Sequence, residues 1–279
     1  MPFAILTGSN PPLQQLNRYG NVPHIVRRVF VVIILLAFSP FIPASAQNSS
    51  PPKGQISAAE ILDRHATAVG GLEALRSIQT LVVHGRAGYP GAQDSAHLND
   101  FSFYYKSPSD DLFEFDMVSE GESFAGQTEA GKFFRHDGRG PLTINGVSMD
   151  ALEECWRALI EWNLAGRYSH IDLVGLSQID GRWAYALRFT PSKGDPFVRY
   201  YDSESYLMVQ MNQVQRLRVD KGGLPYAYKV TAVFTDYRDF DGLKLPERII
   251  ANASDTDVGL LLNSVHKNVP VDDSKFKRH

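Results

Sequence analysis

Two periodicities divide the chain after residue 56. Ser57-Ala58-Ala59-Glu60 forms a capping box, and Ile61, Leu62, Ala66 and Val69 follow at helical spacing until Gly70-Gly71 closes the segment. A short second helical turn, Leu72 to Ile78, leads into residues whose period is two. The alternation predicts strands at 80–88, 97–106, 111–118, 122–129 and 131–136. Phe101, Phe103 and Tyr105 share one face. Phe113, Phe115 and Met117 share another, opposite Glu114 and Asp116. A helix over Met149–Leu164 interrupts the strands, with Leu152, Trp156, Leu159 and Ile160 on one stripe. Strands resume at 171–179, 182–190, 197–202, 206–218, 226–237, 243–252 and 258–267. Asp180-Gly181 and Asp241-Gly242 mark tight hairpins, and Asp137-Gly138 marks a further turn. The pattern predicts a mainly β (α+β) chain: a large curved antiparallel sheet, or incomplete β-barrel, wrapped around two helical segments.

The first 46 residues follow neither period. They carry Arg18, Arg27 and Arg28 and no acidic residue or lysine. Arg27-Arg28 precede an apolar run from Val29 to Phe38, and Ala44-Ser45-Ala46 offers a small-residue cleavage site. This is the order of a secretory signal peptide, and the apolar run is too short for a membrane span. Translation starting near Val22 would give the leader an ordinary length. Cleavage after Ala46 leaves 233 residues with net charge −6 in place of −3. Residues 47–56, polar and with Pro51-Pro52, read as a disordered spacer. With no later break, 57–279 reads as one domain. The expected location is periplasmic or secreted, with no transmembrane segment after processing.

Charge and chemistry narrow the field. A mildly acidic chain has no basic footprint for nucleic acid. One cysteine, Cys155, excludes an intramolecular disulfide framework and a cysteine zinc site, and no histidine pair has metal-ligand spacing, so no cofactor or metal is expected. There is no G-x-S-x-G or H-E-x-x-H motif and no glycine-rich phosphate loop. His136-Asp137 and His170-Ile171-Asp172 are the pairs that acid–base chemistry could use. His65, on the first helix, reads as a solvated or capping residue, and Cys155 as a small buried apolar one.

The unusual feature is aromatic supply on alternating strand positions. A curved sheet whose helices leave room would turn such a face into an apolar cavity. The expected lining is Phe101, Phe103, Tyr105, Phe113, Phe115, Phe133, Trp183, Tyr185, Tyr228 and Phe234, with Trp156 from the helix.

Four segments carry a resemblance, in order. They are Ile61 to Gly71; Phe103-Tyr104-Tyr105-Lys106-Ser107-Pro108 with Leu112-Phe113-Glu114-Phe115; Glu129-Ala130-Gly131-Lys132-Phe133-Phe134; and Val269-Pro270-Val271-Asp272-Asp273-Ser274-Lys275-Phe276. Together they resemble the periplasmic lipoprotein-carrier (LolA-like) superfamily, the outer-membrane lipoprotein-sorting chaperones and their relatives, over about residues 57–276. The resemblance implies an incomplete β-barrel with an apolar cavity for acyl chains. Ser107 stands where the well-known carrier has an arginine that holds its helical lid, so that lock is not implied here.

The expected function is therefore non-enzymatic binding of lipid or lipoprotein acyl chains, for transport across the periplasm to the outer membrane. An envelope protein is a further expected partner. The alternative is a structural or protein-interaction module whose helices fill its own core. A hydrolase built on His136 or His170 is a third reading.

Overall fold

In the computed structural model the chain starts with α1 (Ala58–Ala68), whose N-cap Ser57 accepts a hydrogen bond from the Glu60 amide at 3.1 Å. Ile61, His65 and Val69 form its buried face. Gly70 and Gly71, at φ 131° and 94°, turn the chain into α2 (Leu72–Arg76). The described residues are 56–88, 98–106, 113–119, 122–129, 132–135, 143–144, 147–161, 164, 166–192, 194–217, 226–253 and 256–276, with backbone alone over 113–150. The expected leader, most of the spacer, Ser107, and His136 with Asp137 lie outside them.

The first meander is β1 (Thr80–Gly88), β2 (Leu98–Lys106), β3 (Phe113–Ser119), β4 (Glu122–Glu129) and β5 (Lys132–Arg135). A small hairpin, β6 (Thr143–Ile144) with β7 (Val147–Ser148), then leads into α3 (Met149–Ile160). The second meander is β8 (Tyr168–Ile179), β9 (Arg182–Pro191), β10 (Phe197–Asp202), β11 (Met208–Leu217), β12 (Tyr226–Phe240), β13 (Leu243–Ala253) and β14 (Thr256–Lys267). The first and last strands pair, so both meanders form one antiparallel sheet of twelve strands, with β5 and β8 as its edges. The sheet is open, a curved incomplete barrel.

That order dictates where α3 lies. The chain leaves the sheet at one edge and re-enters at the other, so the connection crosses the sheet. α3 makes the crossing with Ala151, Leu152, Cys155, Trp156, Leu159 and Ile160 buried. Gln213 Nε2, on β11, donates to the Ala151 carbonyl at 3.1 Å.

Two local devices shape the sheet. Asp180-Gly181 and Asp241-Gly242 adopt left-handed conformations (φ 48° and 78°; 54° and 78°), as the hairpin signals predict. At Gly85 the pairing with β14 slips by one residue, a bulge that adds bend. Gly85 faces Phe101 on β2, and a Cβ there would stand 2.7 Å from the Phe101 ring and 2.5 Å from the Leu261 carbonyl oxygen. The closing segment folds back on the first strands: Thr80 Oγ1 donates to the Val269 carbonyl at 2.6 Å, and Asp273 pairs with Lys106.

The twelve predicted strands are all present. The helix from 149 ends at Ile160 rather than Leu164. The β6–β7 hairpin and the 3-10 turn Asp273–Phe276 were not predicted, being too short for a periodic signal.

Candidate functional site

The expected aromatic cluster separates into parts. Trp156 stacks on Phe103 with ring centroids 5.2 Å apart and tilts against Phe101 at 6.4 Å. All three are 2% exposed. Tyr105 is also buried. Tyr185 is buried and stacks on Tyr206 at 6.1 Å, beside α1. Trp183 and Phe234 line a cavity of about 410 Å³ with Tyr237 and Leu207. Tyr228 is half-buried against the core. The side chains of Phe113, Phe115 and Phe133 lie outside the described residues.

A larger cavity, about 540 Å³, lies between α1, the end of α3, β8 and β10. Apolar side chains supply much of its wall: Ala58, Leu62, Ala66, Ala158, Leu164 and Ile171. Its rim is exposed at Ala59, Asp63, Ser169 and His170. Its floor is polar and buried, with His65, Tyr168, Arg199 and Tyr201.

β10 explains the floor. Its inward positions are Phe197, Arg199 and Tyr201, so an arginine occupies a core position between two aromatics. A buried guanidinium must be paired. The α3 segment supplies the partners seven residues apart, two helical turns on one face. Arg199 Nη2 donates to Glu154 Oε1 at 3.2 Å, Glu161 Oε2 at 3.0 Å and Tyr168 Oη at 2.9 Å. Tyr168 donates onward to Glu161 Oε2 at 2.9 Å. Arg167 closes the group, 2.5 Å from Glu161 and 3.5 Å from Glu154. Two cations thus meet two carboxylates. Burial opposes the charge on Arg199, but Tyr168, Glu161 and Glu154 outweigh it and hold the guanidinium well above its usual range. Burial also pushes the Tyr168 phenol up, so it stays protonated. Three aromatic faces pack the guanidinium, Phe189 closest at 4.2 Å.

His65 corrects the expectation of a solvated residue. It is 7% exposed, its ring meets Tyr201 edge-on at 4.8 Å, and Nδ1 donates to the Tyr206 carbonyl at 2.9 Å. The cause is the turn after β10. Asp202 Oδ1 accepts from the Ser205 amide at 2.7 Å, and Tyr206 adopts a left-handed φ of 58°, which brings its carbonyl to the helix. Burial is the main cause that lowers the His65 pKa to about 4, so the ring is neutral at pH 7. The far end of α1 is fixed by Gly70, where a Cβ would stand 2.6 Å from the Gly242 carbonyl oxygen, and by the Lys244 amide donating to the Val69 carbonyl at 3.0 Å.

The other candidates are placed plainly. His170 Nε2 lies 3.0 Å from Asp172 Oδ1 on the exposed strand β8, where Arg188 also holds Asp172. Cys155 is fully buried, and burial raises its thiol pKa. Among the described residues no group of three His, Cys, Asp or Glu could hold a metal ion. Among them, no helix is long and apolar enough to cross a membrane. Sequence reasoning missed His65, Glu154, Glu161, Tyr168 and Arg199 as one site. The available signal was Arg199 at an inward position of a predicted strand.

No family model and no curated protein matches the sequence. Solved structures do match. A LolA superfamily protein from Nitrosomonas europaea aligns with a TM-score of 0.50 at 13% identity, over 80% of this chain and 98% of that one. A Vibrio parahaemolyticus domain named for outer membrane lipoprotein sorting aligns with a TM-score of 0.46 at 11% identity, over 78% and 94%. A DUF1329 family protein from Desulfovibrio piger aligns with a TM-score of 0.41 at 13% identity, over 78% and 97%. The first match shows the fold: the chain shares the LolA-superfamily architecture expected from its sequence.

Proposed function

We propose that the protein is an exported, non-enzymatic carrier that holds acyl chains of a lipid or lipoprotein and moves them across the cell envelope toward the outer membrane. The observation that carries this reading is the cavity of about 540 Å³ between α1, α3 and the sheet, largely apolar and open at its rim, on a LolA-superfamily fold. Its volume falls within the roughly 300–1,000 Å³ of small-ligand sites. Each buried methylene contributes about 0.8 kcal/mol, which offsets the ordering of chain and ligand. Phe101, Phe103 and Tyr105 on β2, with Trp156 on α3, offer a further apolar surface. The part beneath Trp156 becomes available to acyl chains when α3 lifts. The leader at 1–46 delivers the domain 57–279 to the periplasm.

The rival is an envelope interaction module. The packing of Trp156 onto Phe103 favours it, because α3 fills that part of the sheet. Its docking edge would be β8, where Leu173, Val174 and Leu176 are exposed.

Native mass spectrometry of protein taken from its own envelope, with uptake of a fluorescent fatty acid by the purified protein, tests the carrier. Bound lipid and saturable uptake are expected. Lipid-free spectra with no uptake overturn the carrier in favour of the module.

A further inference from the structure

The floor of the larger cavity carries information about the ligand's polar end. Arg199, Arg167, Glu154 and Glu161 balance to zero charge. A buried anion would leave the group with an uncompensated negative charge, and a buried cation with a positive one. Either is desolvated without a partner to compensate it. The rim adds Asp63, a carboxylate at the mouth that repels anions. His65 adds no charge, because its buried ring is neutral at pH 7.

The floor is still not inert. Arg199 Nε is buried and makes no hydrogen bond. Leaving such a donor unsatisfied is unfavourable, because it gives up its bond to water without a replacement. His65 spends Nδ1–H on the Tyr206 carbonyl, which fixes its tautomer and leaves Nε2 as an acceptor. Both residues line the same cavity, among the side chains of Ala66, Ala158 and Leu164. Nε is shielded from water, so contact with a ligand oxygen requires neighbouring side chains to part.

We infer that this cavity selects acyl lipids with an uncharged ester-and-hydroxyl head of the monoacylglycerol type, the ester carbonyl accepting from Arg199 and the hydroxyl donating to His65. The inference rests on the carrier reading and adds the head-group class. A free fatty acid or an anionic lysophospholipid brings the same chain with a charge that the floor cannot neutralise.

The test compares one chain on several heads, below the micellar concentration at pH 7.5, by displacement of a fluorescent acyl probe. Monooleoylglycerol is expected to bind at least tenfold more tightly than oleate or oleoyl-lysophosphatidylglycerol. Methyl oleate, which keeps the ester and lacks the hydroxyl, is expected to fall between. In His65→Leu the preference for monooleoylglycerol over methyl oleate should shrink to within about twofold. If that variant does not fold, His65→Phe, which keeps a ring against Tyr201, takes its place. Binding of oleate as tight as that of monooleoylglycerol overturns the head-group inference and leaves the carrier standing. A preference unchanged in the His65 variant overturns the hydroxyl contact. Failure of every acyl compound to bind overturns the carrier and the inference with it.

Discussion

Arg199 Nη2 on β10 lies 3.0 Å from Glu161 Oε2, on the residue that follows α3, with the two side chains 2% and 4% exposed. This pair ties the crossing helix to the second meander. Removing one partner of a buried ion pair is costlier than removing both. Arg199→Met should lose about 3–5 kcal/mol of stability, because Glu161 keeps its charge with less compensation. Arg199→Met with Glu161→Leu should recover at least about half of that loss, since Arg167 and Glu154 remain as a pair. Urea unfolding of the two single variants and the double variant measures the coupling.

The buried His65 makes stability depend on pH. Its folded pKa of about 4 lies below the usual 6.5, so between these values the unfolded chain binds a proton that the folded chain does not. Its contribution is fully present above pH 6.5 and is lost as pH falls toward 4. The change is about 3 kcal/mol across that window. His65→Gln should flatten the slope between pH 6.5 and 4 relative to the natural chain. Denaturant midpoints across that range give the difference directly, and parallel slopes would refute the assignment.

Gly85 and Phe101 form a matched pair across β1 and β2. Gly85→Ala drives a Cβ into both the Phe101 ring and the Leu261 carbonyl, so it should cost about 1–3 kcal/mol through strain. Combining it with Phe101→Leu should cost less than the sum of the two, because only the ring contact is relieved. Thermal unfolding of the cycle reads the shared part.

Most of the fold was legible because the sheet writes its own period. Phe101-x-Phe103-x-Tyr105 and Trp183-x-Tyr185-x-Leu187-x-Phe189 place strands, and Asp-Gly dipeptides place the hairpins. The pairing of β1 with β14 has no local signature, since strands 80–88 and 256–267 are joined through space alone. The site was less legible for the same reason. Arg199 looks like a surface charge until its alternation with Phe197 and Tyr201 is taken seriously. Its carboxylates come from α3 and the residue that follows it, 45 and 38 residues earlier. His65 is polar on a helix whose neighbouring Asp63 and Arg64 are exposed, and its burial depends on the turn that aims the Tyr206 carbonyl.

Cys155 offers a direct view of whether α3 moves. It is the one cysteine of the chain, it is fully buried on α3, and burial disfavours its thiolate. A thiol reagent needs the thiolate in the open, so labelling requires this part of α3 to leave the sheet. At pH 8 the folded protein should label at least about a thousandfold more slowly than the urea-unfolded chain. An acyl ligand that enters beneath Trp156 holds α3 away from Phe101 and Phe103. It should raise the native rate severalfold while far-ultraviolet circular dichroism stays constant. A ligand confined to the cavity between α1 and β8 should leave the rate unchanged or lower it. Labelling followed by mass spectrometry separates these two modes of binding, and fast labelling of the ligand-free protein would overturn the packed position of α3.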